Sequence, residues 1–141
     1  PLDVIERVAA SSRLGDWQGL GVVVQAYGRR ALPVIGWLDK LSKATGRRLM
    51  VRLVKGAYWD TEIKRAQVTG TASFPVFTRK AGTDVSYLAC ARALLDRAPQ
   101  LYPQFATHNA ASVAAILAMA GNRKMEFQRL HGMDLCACGR P

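Results

Sequence analysis

The sequence predicts an α/β fold built on a parallel sheet covered by helices. Three observations predict it. Short apolar runs of strand length, rich in β-branched and aromatic residues, recur along the chain. They alternate with stretches of helical period, closed in several cases by a glycine suited to a C-terminal cap. The runs are apolar throughout rather than alternating, which fits strands buried on both faces.

The elements follow in order. "LDVIERVAAS" (2 to 11) reads as a helix feeding the first strand, "LGVVVQAY" (20 to 27). "ALPVIGWLDKLSKATG" (31 to 46) places Leu32, Ile35, Leu38 and Leu41 on one helical stripe and stops at Gly46. "RLMVRLV" (48 to 54) is the second strand. "DTEIKRAQVTG" (60 to 70) begins with Asp60 as N-cap and an acidic first turn, carries its basic residues later and closes on a glycine. After a connection containing Pro, Thr and Ser, Asp84 is expected to cap "VSYLACARALLDRA". "LYPQFATHN" (101 to 109), the helix "AASVAAILAMAG" (110 to 121) and the short run "MEFQRLHGM" (125 to 133) complete the series. Four strands result. A closed (βα)₈ TIM barrel needs eight strands and typically about 250 residues. The 141 residues therefore correspond to about four β/α units, roughly half of such a barrel.

Composition narrows the function classes. Half the residues are hydrophobic, enough for a core of ordinary domain size, and no stretch reaches the roughly 18 apolar residues that span a bilayer. Twenty Lys and Arg against ten Asp and Glu give a formal charge of +10, which suits a polyanionic partner such as nucleic acid or a cofactor bearing phosphates. The basic residues come as short pairs at the ends of elements, such as Arg29–Arg30, Arg47–Arg48, Lys64–Arg65 and Arg79–Lys80, which favours several local sites over one nucleic-acid stripe. Three cysteines, with no C-x-x-C pair and no histidine pair at zinc spacing, predict neither a disulfide scaffold nor a metal site. No secretory signal opens the chain, so a cytoplasmic location is expected, and Pro1 in place of methionine suggests a start within something longer.

The unusual residues gather at one end of the predicted sheet. In parallel barrels the ligand lies at the carboxyl ends of the strands. Gln25 ends the first strand, Arg52 and Lys55 the second, Thr107, His108 and Asn109 the third, and Leu130 with His131 the fourth. A guanidinium is always charged and costly to bury unpaired, so Arg52 in an apolar strand points to an anionic ligand or a partner. Each residue alone has a plainer explanation. Arg52 can pair with a neighbouring carboxylate, His108 can be structural, Tyr58 and Trp59 can be packing aromatics, and Gly56 can simply form a turn. Their shared position favours a site. Cys90, flanked by apolar residues, is expected to be a buried small hydrophobe.

Four segments, "RLVKGAYWDTEIKRAQ", "FPVFTRKAGTDVSYLACARALL", "YPQFATHNA" and "FQRLHGM", closely resemble the proline dehydrogenase domain of bacterial bifunctional proline utilisation proteins. The match runs from about Leu14 to Met133. The resemblance implies a flavin-dependent (βα)₈ barrel that oxidises L-proline to Δ1-pyrroline-5-carboxylate. It places FAD at the carboxyl ends of the strands and passes electrons to a membrane quinone.

By the same resemblance, Arg52 lies beside the flavin N5 and Gln25 against the ring. Lys55, Gly56, Ala57 and Trp59 follow the ribityl and pyrophosphate portion. Thr78, Arg79 and Lys80 approach the phosphates and adenosine, and Thr107, His108 and Asn109 end a flavin-binding strand. Leu53, Tyr58 and Leu130 lie near the substrate, with Arg52 and Tyr58 assigned to catalysis. Partners are the remainder of the barrel and an aldehyde dehydrogenase domain, in a protein peripheral to the inner membrane.

The sequence departs from the family pattern at Ala111 and Ser112, and the tail "DLCACGRP" is aberrant. Residues 1–133 are thus expected to be the central part of the barrel and 134–141 an unrelated or truncated end. The family's proline-gripping arginine pair is not recognised here, so the chain is expected to be an inactive fragment. The competing reading is a basic non-enzymatic module that binds nucleic acid or another polyanion.

Overall fold

The computed structural model describes residues 2–130. His131, Met133 and the tail from 134 to 141, on which several expectations fall, lie outside them. The order of elements is α1 (Leu2–Ala9), a 3₁₀ turn (Ser12–Leu14), β1 (Gly21–Gln25), α2 (Ala31–Thr45), β2 (Leu49–Val54), α3 (Trp59–Val68), α4 (Lys80–Leu95), β3 (Leu101–Ala106), α5 (Ala110–Ala120) and β4 (Glu126–Gln128). The four strands form one parallel sheet in the order β1-β2-β3-β4. Parallel neighbours require crossovers, and a helix supplies each one.

Burial alternates along the central strands. Leu49, Val51 and Leu53 on β2, with Leu101, Pro103 and Phe105 on β3, are buried on the face that the helices cover. Ile35, Leu38 and Leu41 of α2, Tyr87, Cys90 and Leu94 of α4, and Ile116 of α5 complete this core. Each aliphatic side chain so removed from water contributes about 2 kcal/mol. The opposite face is mixed in character. It carries Val23, Arg52, Gln104 and Glu126 side by side in register. The expectation that both faces are apolar is thereby corrected: among the described residues only one face is covered by helices, and the other carries polar groups.

Three local expectations shift by a turn or less. The buried stripe of α2 is Ala31, Ile35, Leu38, Leu41 and Ser42, while Leu32 faces outward. Gly46 does end α2, at φ 66°. Helix α3 starts at Trp59, with Tyr58 rather than Asp60 at its N-cap, so Asp60 and Glu62 supply the acidic first turn. Helix α4 begins at Lys80, a full turn before Asp84, and Arg79 at its N-cap makes no capping hydrogen bond with its side chain. Asp84 lies inside the helix, where its carboxylate meets Lys55 and Lys80.

The amino-terminal end of the sheet is stitched by Arg47, which donates to the carbonyls of Ala9 (2.8 Å) and Trp17 (3.2 Å). At the carboxyl end the ladder continues past β1. Ala26 N–H donates to Val54 O and Tyr27 N–H to Lys55 O, both at 2.8 Å. Tyr27 O in turn accepts from Phe77 N–H at 2.8 Å, and Gly28 bridges to Val76. The connection between α3 and α4 is thereby laid beside the strand ends, which positions the site.

Candidate functional site

A concavity of about 520 Å³ opens at the carboxyl ends of the strands. Gln25, Arg52, Lys55, Gly56, Ala57, Tyr58, Thr107, His108 and Leu130, all singled out in the sequence, line it together. They converge because strand ends and the loops just after them meet at one edge of a parallel sheet. Tyr58 and Leu130 are 65% and 61% exposed, so they form a rim rather than a closed wall.

A second concavity of about 480 Å³ lies beside the α3–α4 connection. It is lined by Arg29, Phe74, Phe77, Thr78, Arg79 and Gly82 among others. The two are linked through one carboxylate: Asp84 accepts from Lys55 through one oxygen, and from Lys80 at 2.8 Å through the other. Lys55 lines the first concavity, and Lys80 stands between Arg79 and Ala81, which line the second. Hydrogen bonds from Lys55 and then Lys80 hold the Asp84 carboxyl below its ordinary value.

Other predicted residues have different surroundings. Leu53 is fully buried between sheet and helices, because alternation turns it away from the face that bears Arg52. It does not line the concavity at the strand ends. Asn109 caps α5, its Oδ1 accepting from Ser112 N–H at 2.9 Å. The Trp59 indole donates to Phe77 O at 2.8 Å and ties α3 to the connection. Cys90 is fully buried, and burial pushes its thiol up, so it stays a small apolar filler. Among the described residues no group of three His, Cys, Asp or Glu is placed to hold a metal ion.

Gly56 is required by its setting. Its φ of 124° is open chiefly to glycine, and a Cβ there would lie 2.6 Å from the Tyr27 ring. The loop carrying Lys55, Ala57 and Tyr58 is therefore drawn tightly over Tyr27. Behind it, the Lys55 ammonium stands 5.8 Å from the centre of the Tyr87 ring. The Tyr87 hydroxyl is buried without a hydrogen-bond partner, and this desolvation pushes it up to about 12. Thr107 is close enough to lower the value in part but does not meet hydrogen-bond geometry with the hydroxyl.

Sequence reasoning missed Gln104, Glu126 and Gln128. Arg52 Nε donates to Gln128 Oε1 at 2.7 Å. Gln128 and Gln104 both donate to Glu126 Oε1, at 2.6 and 2.9 Å. The available signal was weak: two polar residues at alternate positions of the short run "MEFQ", which puts both on one face of a strand.

Comparison with known proteins agrees with this architecture. The model of the family described as proline dehydrogenase matches residues 1–136. The chain is 54% identical over 136 residues to the "Bifunctional protein PutA" of Escherichia coli, covering 94% of this chain and 10% of the relative. Against the protein of the same name from Rhizobium meliloti it is 55% identical over 137 residues, covering 94% and 11%. It thus spans about a tenth of the length of these relatives.

Among solved structures, a proline utilization A from Bradyrhizobium japonicum superposes with a TM-score of 0.91 at 58% identity, over 94% of this chain and 14% of that one. The Bdellovibrio bacteriovorus protein, crystallised after inactivation by N-propargylglycine, gives 0.88 at 36% identity over the same shares. The four parallel β/α units are accordingly part of a TIM barrel. With the family model matching nearly its whole length, the chain belongs to the proline dehydrogenase family.

Proposed function

We propose that this chain is the flavin-holding segment of a barrel that oxidises L-proline to Δ1-pyrroline-5-carboxylate. The observation that carries the reading is the Arg52 guanidinium. It lines the carboxyl-end concavity, is held through Nε alone, and its η nitrogens make no hydrogen bond among the described residues. A fixed cation with free donors suits a ligand that gains negative charge during reaction.

The remaining residues fit FAD. Two concavities linked through Lys55, Asp84 and Lys80 suit an elongated ligand with a ring system at one end and a nucleotide at the other. The α4 terminus has no side-chain cap, and Arg79 lines the cavity beside it, as a phosphate group favours. Bound FAD would supply the acceptor for hydride from the proline carbon. Arg52 would stabilise the charge that arrives, and Gln25 would meet the ring. Lys55, Gly56, Ala57 and Trp59 would follow the ribityl and pyrophosphate portion. Thr78, Arg79, Lys80 and the segment Thr107, His108 and Asn109 would hold the rest of the cofactor. Tyr58 and Leu130, at the rim, would shield proline from water once a further surface covers them.

In the whole protein, the reading adds the remaining strands, an aldehyde dehydrogenase domain and a membrane quinone as electron acceptor. The word "bifunctional" in the relatives' names supports the second domain. Among the described residues no helix is long and apolar enough to cross a membrane, which is compatible with a cytoplasmic protein attached peripherally to the inner membrane.

The test is to reconstitute the purified 141-residue chain with FAD, record the flavin spectrum, and follow proline-dependent reduction of a dye. FAD uptake with a perturbed spectrum and no proline-dependent reduction is expected, since among the described residues β1 and β4 are the unpaired edges of an open sheet. Refusal of FAD, together with salt-sensitive binding of nucleic acid, would overturn the flavin reading. Dye reduction above the free-flavin background would overturn the inactivity of the isolated segment.

A further inference from the structure

We infer that Glu126 is a positioning residue for Arg52, acting through the Gln128 amide, and that it does so by accepting hydrogen bonds rather than by its charge. The inference rests on the flavin reading for its purpose but not for its geometry.

Arg52, Gln104 and Glu126 are register partners on the uncovered face of the sheet. A direct pair between Arg52 and Glu126 would be the simple solution on such a face, and the structure avoids it. Gln104 Nε2, lying between them, occupies Glu126 Oε1 at 2.9 Å. Arg52 instead reaches Gln128, two residues further along β4 toward the carboxyl end. The guanidinium is thereby drawn toward the concavity, which both Arg52 and Gln128 line.

The Gln128 amide has only one useful orientation. A guanidinium only donates and a carboxylate only accepts, so the oxygen must face Arg52 and the nitrogen must face Glu126. Both bonds are short, 2.7 Å to Arg52 and 2.6 Å to Glu126. Glu126 thus fixes the amide, and the amide fixes the guanidinium. Because a neutral amide stands between, the cation is oriented without being neutralised by a contact carboxylate. Its remaining donors stay available for an anionic group.

The experiment compares Glu126→Ala and Glu126→Gln in the full chain. Gln at this position keeps an acceptor oxygen and loses the charge. The first readout needs no cofactor: the Arg52 Nε–H resonance in NMR spectra, assigned by its loss in Arg52→Met. It should be sharp and protected in the wild type and in Glu126→Gln, and averaged with solvent in Glu126→Ala. The second readout is the midpoint potential of bound FAD. Positioning predicts a lower potential in Glu126→Ala and a value close to wild type in Glu126→Gln. Removal of a negative charge acting directly would raise the potential in both. A rise in both variants, or an Arg52 signal unchanged in Glu126→Ala, overturns the inference. A chain that takes up no FAD sinks the flavin reading instead, and the Arg52 resonance still decides the positioning role.

Discussion

Lys55 and Asp84 are joined by a short ion pair that ties the loop after β2 to the helix α4, and Lys80 closes on the other oxygen of the same carboxylate at 2.8 Å. One acidic residue thus sets the spacing between two concavities. Asp84 joins the two concavities from inside α4 rather than capping the helix, as its sequence position suggested.

The first prediction concerns pH. Asp84 titrates below its ordinary value near 3.8 because its charged form is bonded to two lysines. A carboxyl depressed on folding contributes stability that is present above its unfolded value and lost as pH falls through the folded one. The pair is partly exposed, so the contribution is under about 1 kcal/mol and shrinks with salt. Asp84→Asn should flatten the acid limb of urea midpoints measured between neutral pH and pH 3. An unchanged acid limb would show that the pair carries no linkage.

Tyr87 supplies the alkaline counterpart. Its hydroxyl is raised from 10.0 to about 12, so the stability it lends is present below pH 10 and lost as pH rises through the folded value. Because the hydroxyl is buried without a partner, Tyr87→Phe should be neutral or stabilising by up to about 1 kcal/mol at pH 7. It should also remove part of the alkaline loss. A destabilisation of 2 kcal/mol or more, on the order of a fully lost buried hydrogen bond, would reveal a partner for the hydroxyl.

Gly56 is expected to tolerate no side chain. Gly56→Ala combines a φ of 124° with a Cβ placed 2.6 Å from the Tyr27 ring, and should cost about 3 kcal/mol in chemical denaturation. Gly70, at φ 62° with open space around it, is the control, and Gly70→Ala should cost only about 1 kcal/mol. Equal costs would mean that the contact with Tyr27 is not what demands glycine.

Arg52→Met, in a complete barrel containing this segment, should lower the flavin potential and slow its reduction by proline roughly 100-fold, the scale of losing one preorganised donor. Stopped-flow reduction and a redox titration measure both. An unchanged potential would remove the role assigned to Arg52.

Arg79→Ala should weaken FAD retention roughly tenfold while leaving turnover at saturating FAD nearly intact, since Arg79 lines the second concavity, away from Arg52. Tight FAD with slow chemistry would place Arg79 at the reacting end instead.

The sequence by itself determined the element order, the parallel α/β class, the helix stop at Gly46 and the buried character of Cys90. These depend on local periodicity, on a positive-φ glycine and on side-chain polarity, all properties of a few neighbouring residues. It also located the edge of the sheet where Gln25, Arg52, Lys55 and His108 gather, because parallel strands place their carboxyl ends together.

Only the tertiary structure decided what those residues touch. Nothing within ten residues of Arg52 announces Gln128, which lies 76 positions away and meets it through the register of three strands. Asp84 differs from its sequence expectation for the same reason: α4 starts a turn earlier, at Lys80, and Asp84 meets its lysine partners, one of them 29 residues distant, from inside the helix. The resemblance places Leu53 near the substrate and the helical stripe places Leu32 inward, while their burial follows from which face each element turns to its neighbours. Strand pairing and helix packing set such contacts, and both act across sequence separations that local pattern does not encode.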